Sequence, residues 1–286
     1  MTSARQIPPL RLGHIDFLNS LPVMQGLLTG RVGTPFPLEI TRAPPAVLNR
    51  RLLAGELDVS PVSTIAFGRH ADELVLLPGL SINSRGFVDS VTLFHKDRLD
   101  VDAPLRVAVT DQAATSVALL KVLLGDWTRG PHEIVVTDAP IAALDSGAHA
   151  ALLIGDAALT TQYTRPELLR RDLGEAWFRR TGRPMVFAVW AARRDVARNR
   201  PRDLGILQRA LEASKAWGAA HPDEVVAAAV ERSRLEPRLV AAYFRHLRFD
   251  LDAEALAGLH AFYEAAAGIG ELPRMPLLAP VPEARA

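Results

Sequence analysis

Val186-Phe187-Ala188-Val189-Trp190-Ala191 is a run of six apolar residues, too short for a typical helix and too uniform for a strand with one wet face. It reads as a strand buried on both faces of a sheet. Toward the N-terminus the chain alternates strand and helix. Leu10-Arg11-Leu12-Gly13-His14-Ile15 predicts a first strand. Asn19-Ser20-Leu21-Pro22, with apolar residues at 23, 24, 27 and 28, predicts the helix after it. Leu38-Glu39-Ile40 is a second strand, and Val47, Leu48, Leu52 and Leu53 mark a helix stopped by Gly55. Residues 57–63 return to extended structure. A second block repeats the pattern: strands at 105–109, 134–136 and 150–154, with helices opened by Thr115-Ser116 and by Gly155-Asp156. Beyond Arg202 only helices are expected, one carrying the stripe Leu204, Leu207, Leu211 and Trp217. Others are opened by Pro222 and Pro237, and a last one is capped by Asp252 and ends near Gly268.

Two α/β blocks and a helical C-terminus predict two lobes. Strand 91–95 is expected to leave the first lobe, and strand 186–191 to cross back into it. The first lobe is then residues 1–97 and 186–286, and the second is residues 98–185. The layout resembles the type II periplasmic-binding-protein fold: α/β, two-lobed, with a helical C-terminal segment and a ligand cleft between the lobes. The proline-rich end, residues 272–286, reads as a strap or a loose tail.

Composition narrows the functions. The 286 residues carry 33 basic and 32 acidic side chains, a net charge of +1, with no stripe suited to nucleic acid or a membrane surface. The basic run at 193–202 also holds Asp195 and Asn199 and reads as a solvated connection. There is no cysteine, so no disulfide, thiolate metal site or cysteine nucleophile. Residues 1–12 lack the apolar run of a signal peptide, and no later segment reaches membrane-spanning length, so a cytoplasmic location is expected. Phosphate-loop, dinucleotide, His-Glu-x-x-His and Gly-x-Ser-x-Gly motifs are absent, so neither a metal nor a nucleotide cofactor is expected.

What remains is a set of small polar residues at strand-to-helix junctions: Asn19, Ser63 with Thr64, Thr115 with Ser116, and Gly155 with Asp156. Helix starts present free N–H groups and the positive end of the helix dipole, which suit a small anion. In α/β sheets these junctions lie at the carboxyl ends of strands, where ligands bind. Asn19, Thr115 and Asp156 each have a second reading as plain helix caps, and Ser63 and Ser90 as ordinary strand-end residues. His14 and His95 read as structural.

Gly13-His14-Ile15-Asp16-Phe17-Leu18-Asn19-Ser20-Leu21-Pro22 resembles the Gly-x-Ile-x-Tyr-Leu-Asn-x-x-Pro opening of the chorismate dehydratases of the futalosine route to menaquinone. Gly55-Glu56-Leu57-Asp58-Val59-Ser60-Pro61-Val62-Ser63 is similar to the family's Gly-x-Leu-Asp-Ile-x-Pro-Ile-Ser segment. Residues 80–90, Thr115-Ser116-Val117, residues 153–159 and residues 187–191 have counterparts in the same order. The resemblance implies dehydration of chorismate to 3-[(1-carboxyvinyl)oxy]benzoate with no cofactor. It implies a catalytic role for Asn19, carboxylate contacts from Ser63, Ser90, Thr115 and Ser116, and a ligand-facing loop at Gly155-Asp156. The expected partner is the small-molecule substrate, with no nucleic acid and no membrane; a homodimer is compatible with it.

Two departures stand out. Ala113-Ala114 replaces a serine-containing run, and Asp16-Phe17 replaces a small or aromatic pair. An acidic Asp16 in an anion site is costly, so it is expected to point away. The rival on the same fold is 1,4-dihydroxy-6-naphthoate synthase, which that resemblance associates with a histidine base in the second lobe. His132 and His149, the histidines expected there, sit in no matching motif. The rival of another class is a solute-binding protein, which needs an export signal or lipid anchor.

Overall fold

A computed structural model describes residues 8–99 and 102–278. The sequence readings on residues 1–7 and on residues 279–286 of the proline-rich end lie outside the described residues.

The chain runs β1 (Leu10–Ile15), α1 (Leu21–Leu28), β2 (Leu38–Ala43), α2 (Pro45–Leu53), β3 (Val59–Ser63), α3 (Thr64–Arg69) and β4 (Leu74–Ser84). It continues through β5 (Val91–His95), β6 (Leu105–Val109), α4 (Ala114–Trp127), β7 (His132–Val136), α5 (Pro140–Asp145), β8 (Ala150–Ile154), α6 (Gly155–Thr164), β9 (Leu169–Asp172) and α7 (Leu173–Thr181). β10 (Met185–Arg193) precedes α8 (Arg194–Asn199), α9 (Pro201–Ala220), α10 (Pro222–Ser233), α11 (Pro237–His246), β11 (Leu247–Arg248) and α12 (Ala253–Gly268). As expected, Asp252 caps α12 by accepting the Ala255 N–H at 2.8 Å.

The strands form two sheets, ordered β11-β4-β10-β3-β1-β2 and β7-β6-β8-β5-β9. β1 lies parallel to β2 and β3, and β6 parallel to β7 and β8. The opening run holds: in β10, residues 185–192 are all buried, and the strand pairs antiparallel with both β3 and β4.

The expected lobe boundary needs correction. β5 pairs along its whole length with β8 and β9, so it belongs to the second sheet, and the chain leaves the first sheet before residue 91 rather than near 97. Its residues are buried on both faces and read the same in either sheet, so only the pairing decides. β4, the long strand the sequence concealed, contains Pro78-Gly79, a turn signal. The strand continues through it on a bulge, where the pairing jumps from Val189–Ser81 to Ala191–Leu76.

One half-buried carboxylate ties the two crossings together. Asp172, at the start of the return crossing, accepts the N–H groups of Val88 (3.1 Å) and Asp89 (2.6 Å) on the outgoing crossing. It also caps α7 through the Glu175 N–H at 3.0 Å. Asp89 is held there at φ 55°, a left-handed conformation uncommon for a residue with a side chain. The described start of the C-terminal tail lies on the first lobe: Leu272 is buried and Arg274 pairs with Asp72. Just ahead of it, Glu271 reaches Arg69 on α3 (2.5 Å) and Lys121 on α4 (2.6 Å), one residue from each lobe.

Beneath the first strand-to-helix junction, His14 is fully buried, with Nε2 2.9 Å from Ser20 Oγ. Burial, reinforced by Arg42 and Arg232, lowers its pKa to about 4 from the usual 6.5. The unfolded chain therefore binds more protons between those values, so stability is fully present above about 6.5 and is lost as pH falls toward 4. The loss amounts to about 3 kcal/mol. Urea unfolding of the wild type and His14→Gln at pH 7, 5.5 and 4 checks this. The wild type should lose more stability than the variant over that range, and parallel losses would refute the assignment.

Candidate active site

The two sheets face each other across a cavity. It opens at the carboxyl ends of β1, β3, β6 and β8 and at the starts of β5 and β10, where successive strands hand over to helices or crossings. Asn19, Ser63, Ser90, Thr115, Ser116 and Gly155 all line it. Phe17, Ile82 and Phe187 supply apolar walls fit for a ring. Among the described residues, none that lines it is charged or a histidine.

Asn19 sits in a 3-10 turn, Leu18–Ser20, that joins β1 to α1. Ser20 Oγ lies 2.7 Å from the Ile15 carbonyl oxygen and 2.9 Å from that of Phe17, both acceptors for its proton, and it meets His14 Nε2 on its other side. The turn is thus fixed from beneath. The capping reading of Asn19 fails, because the N-cap positions of the turn and of α1 are Phe17 and Ser20, and neither makes a side-chain cap. Instead its Oδ1 is buried without a protein partner at the cavity wall. Buried polar oxygens are nearly always bonded, so at the cavity wall this one is free to accept from a ligand.

The hydroxyls are arranged as donors. Ser63 Oγ accepts from Asn49 Nδ2 at 3.1 Å, and Thr115 Oγ1 accepts the Ile65 N–H at 3.0 Å. With an acceptor site of each oxygen used, the proton of each hydroxyl can serve the cavity. Thr115 therefore caps a helix after all, but α3 of the opposite lobe rather than its own. Beside it, Ala114, Thr115 and Ser116 are the first residues of the 14-residue α4, whose leading N–H groups have no partner within the helix and suit an anion cradle. This cradle is backbone, so the loss of a serine at Ala113-Ala114 leaves it intact.

Ser90 is held by its backbone. Its carbonyl accepts the Gly155 N–H at 2.7 Å, and its own N–H reaches the Val88 carbonyl at 2.5 Å. Behind it lies the buried hydroxyl of Tyr243, whose pKa burial raises. Gly155 has φ 60°, and a Cβ there would stand 2.9 Å from the Phe17 ring. The position requires glycine both for its backbone and for this close approach across the cleft.

Asp156 departs from expectation. It does not line the cavity; its Oδ1 accepts the Leu18 N–H at 3.0 Å from across the cleft. Burial pushes its carboxyl up, opposed chiefly by that hydrogen bond. The physical reason is plain: a carboxylate facing an anion cradle is repelled, whereas a helix start needs an acceptor. Asp16 does point away, pairing with Arg232 at 2.7 Å and Arg42 at 3.1 Å.

Gln112 was not anticipated. Its Oε1 is buried and unpartnered at the cavity, while its Nε2 donates to Asp111 Oδ1 at 2.6 Å. It lies just ahead of the Thr115 junction, and that position was the available signal. The histidines of the second sheet all lie outside the lining, and the corrected boundary adds His95 to them. His149 Nδ1 accepts the Arg106 N–H at 2.8 Å, and His95 pairs opposite Ala150, both at the start of β8 and away from the cavity.

A family model described as menaquinone biosynthesis matches residues 10–268. A chorismate dehydratase of Thermus thermophilus is 38% identical over 242 residues, covering 79% of this chain and 86% of the relative. A 1,4-dihydroxy-6-naphthoate synthase of the same organism is 30% identical, covering 76% and 77%. Among solved structures, a Candida albicans protein described as having the generic periplasmic binding protein fold superposes with a TM-score of 0.70 at 14% identity, covering 92% of each chain. The two-lobed architecture is that fold, and the chain belongs to the menaquinone biosynthesis family.

Proposed function

We propose that the chain is a chorismate dehydratase, a carbon–oxygen lyase that converts chorismate to 3-[(1-carboxyvinyl)oxy]benzoate and water in menaquinone biosynthesis. Two things support it together: the 38% identity to a chorismate dehydratase, and the unpartnered Asn19 oxygen in a cavity of neutral donors and apolar walls.

Chorismate carries two carboxylates on a small ring. The neutral donors at Ser63, Ser90, Thr115 and Ser116 and the amides of α4 receive them, while Phe17, Ile82 and Phe187 enclose the ring. Loss of the C3 proton sends its electron pair into the ring and expels the C4 hydroxyl. The elimination is redox-neutral, so its balance asks for no electron carrier. Asn19 Oδ1 accepts the substrate's C4 O–H, which orients the C–O bond for departure. Charge from the C3–H bond spreads to the ring carboxylate, where fixed N–H and O–H donors stabilise it. Among the described residues the lining offers neither carboxylate nor imidazole as base, so the substrate's own enolpyruvyl carboxylate takes the C3 proton; the C4 oxygen departs as hydroxide, and this proton joins it to leave as water.

The sister activity of 1,4-dihydroxy-6-naphthoate synthesis has the weaker case, because no histidine lines the cavity. Incubating purified protein with chorismate should yield an aromatic product one water lighter, read by ultraviolet absorbance and mass spectrometry. Unchanged chorismate would overturn the proposal. Asn19→Ala should lower kcat by about 10²-fold, the scale for misplacing a reacting group by about 1 Å. Near-normal turnover by a folded variant would remove Asn19 from the chemistry.

A further inference from the structure

We propose that Asp156 is a positioning residue for Asn19, holding the asparagine's turn in place from the opposite lobe. This rests on the assignment of Asn19 as the catalytic group. The observations are geometric. The Leu18 N–H is the first amide of the 3-10 turn, and the residue at its N-cap position, Phe17, makes no side-chain cap. Asp156, on the first turn of α6, supplies the acceptor from 138 residues away. The neighbouring pair reinforces the contact, because the Phe17 ring packs over Gly155. Residues 17 and 18 are therefore clasped by residues 155 and 156, and Asn19 follows directly.

The bond spans the cleft, so it exists only while the lobes are together. Separation of the lobes frees the Leu18 amide and leaves the turn fixed only by Ser20 below. Asp156 in this arrangement touches neither substrate nor reacting atoms; it makes the position of the Asn19 oxygen depend on the second lobe. Arg232 and Asp16 are the nearby charges, and Arg232 is already paired with Asp16.

Asp156→Ala and Asp156→Asn separate this role from its rivals. The alanine removes the acceptor, and the asparagine restores an oxygen at the same place without the charge. Asp156→Ala should lower kcat by about 10- to 100-fold with a smaller change in KM, the scale of a catalytic group displaced by about 1 Å. Asp156→Asn should recover most of that loss. Loss of activity in both variants alike would make Asp156 a direct acid or base and overturn the proposal. So would a lowered Tm in Asp156→Ala with unchanged kcat, which is the signature of a structural residue alone.

Amide exchange supplies a readout independent of turnover. The Leu18 N–H should be protected in the wild type and in Asp156→Asn and should exchange faster in Asp156→Ala, and equal protection in all three would overturn the clasp. If the wild type leaves chorismate unchanged while the exchange pattern holds, the proposed reaction fails and the clasp stands.

Discussion

The first N–H groups of a helix have no partner within it, and burying them unpaired is costly. In this fold, where helix starts converge on one cleft, that requirement is met across the gap. Thr115 of the second lobe accepts the Ile65 amide at the start of α3, and Asp156 accepts the Leu18 amide at the start of the 3-10 turn. The first-lobe turns that carry Ser63 and Asn19 are thereby completed by second-lobe side chains. What is left unmatched, the start of α4 and the Asn19 and Gln112 oxygens, is the part of the cleft that faces a ligand. Of the buried side-chain oxygens and nitrogens left without a protein partner, those of Asn19 and Gln112 belong to residues that line the cavity.

The positions around the cavity were legible in the sequence, since a parallel strand that ends in a small polar residue before an apolar helix has few other uses. Asn19, Ser63, Thr115 and Gly155 were found that way. Their partners were not legible. Nothing local announces that Asp156 answers Leu18, because the two are brought together by sheet order rather than by spacing. The fold shows the same division. β10 declared itself by unbroken apolarity, yet β5 was assigned to the wrong sheet, because burial on both faces says that a strand is central and not which sheet it is central in. β4 was hidden by Pro78-Gly79, a turn signal locally and a bulge once β10 supplies the neighbouring ladder.

The crossings show how a cleft of this kind is kept in register. β5 and β10 run antiparallel to their neighbours because each starts at the cavity end, directly after the chain has crossed. Asp172 draws the two crossings together by accepting amides of one while capping the helix of the other. Ser90 follows directly after the strained Asp89, so its position at the cavity is set by this carboxylate. Asp172 and Asp156 therefore have parallel roles: both carboxylates stand outside the cavity, and each bonds the backbone that carries a cavity residue.

The absence of charge in the lining follows the same logic and suits the proposed elimination. A lysine or arginine on a substrate carboxylate binds the starting anion strongly, and binding that does not increase toward the transition state does not speed the chemical step. Neutral N–H and O–H donors gain most where negative charge builds up, and in a preorganised cavity they need no rearrangement to do so. During loss of the C3 proton the charge moves into the ring and its carboxylate, within reach of a helix start whose dipole is already aligned. The cationic groups nearest the turn, Arg42 and Arg232, are held outside the lining by Asp16. An acidic residue that looked misplaced beside an anion site thus keeps two arginines away from it.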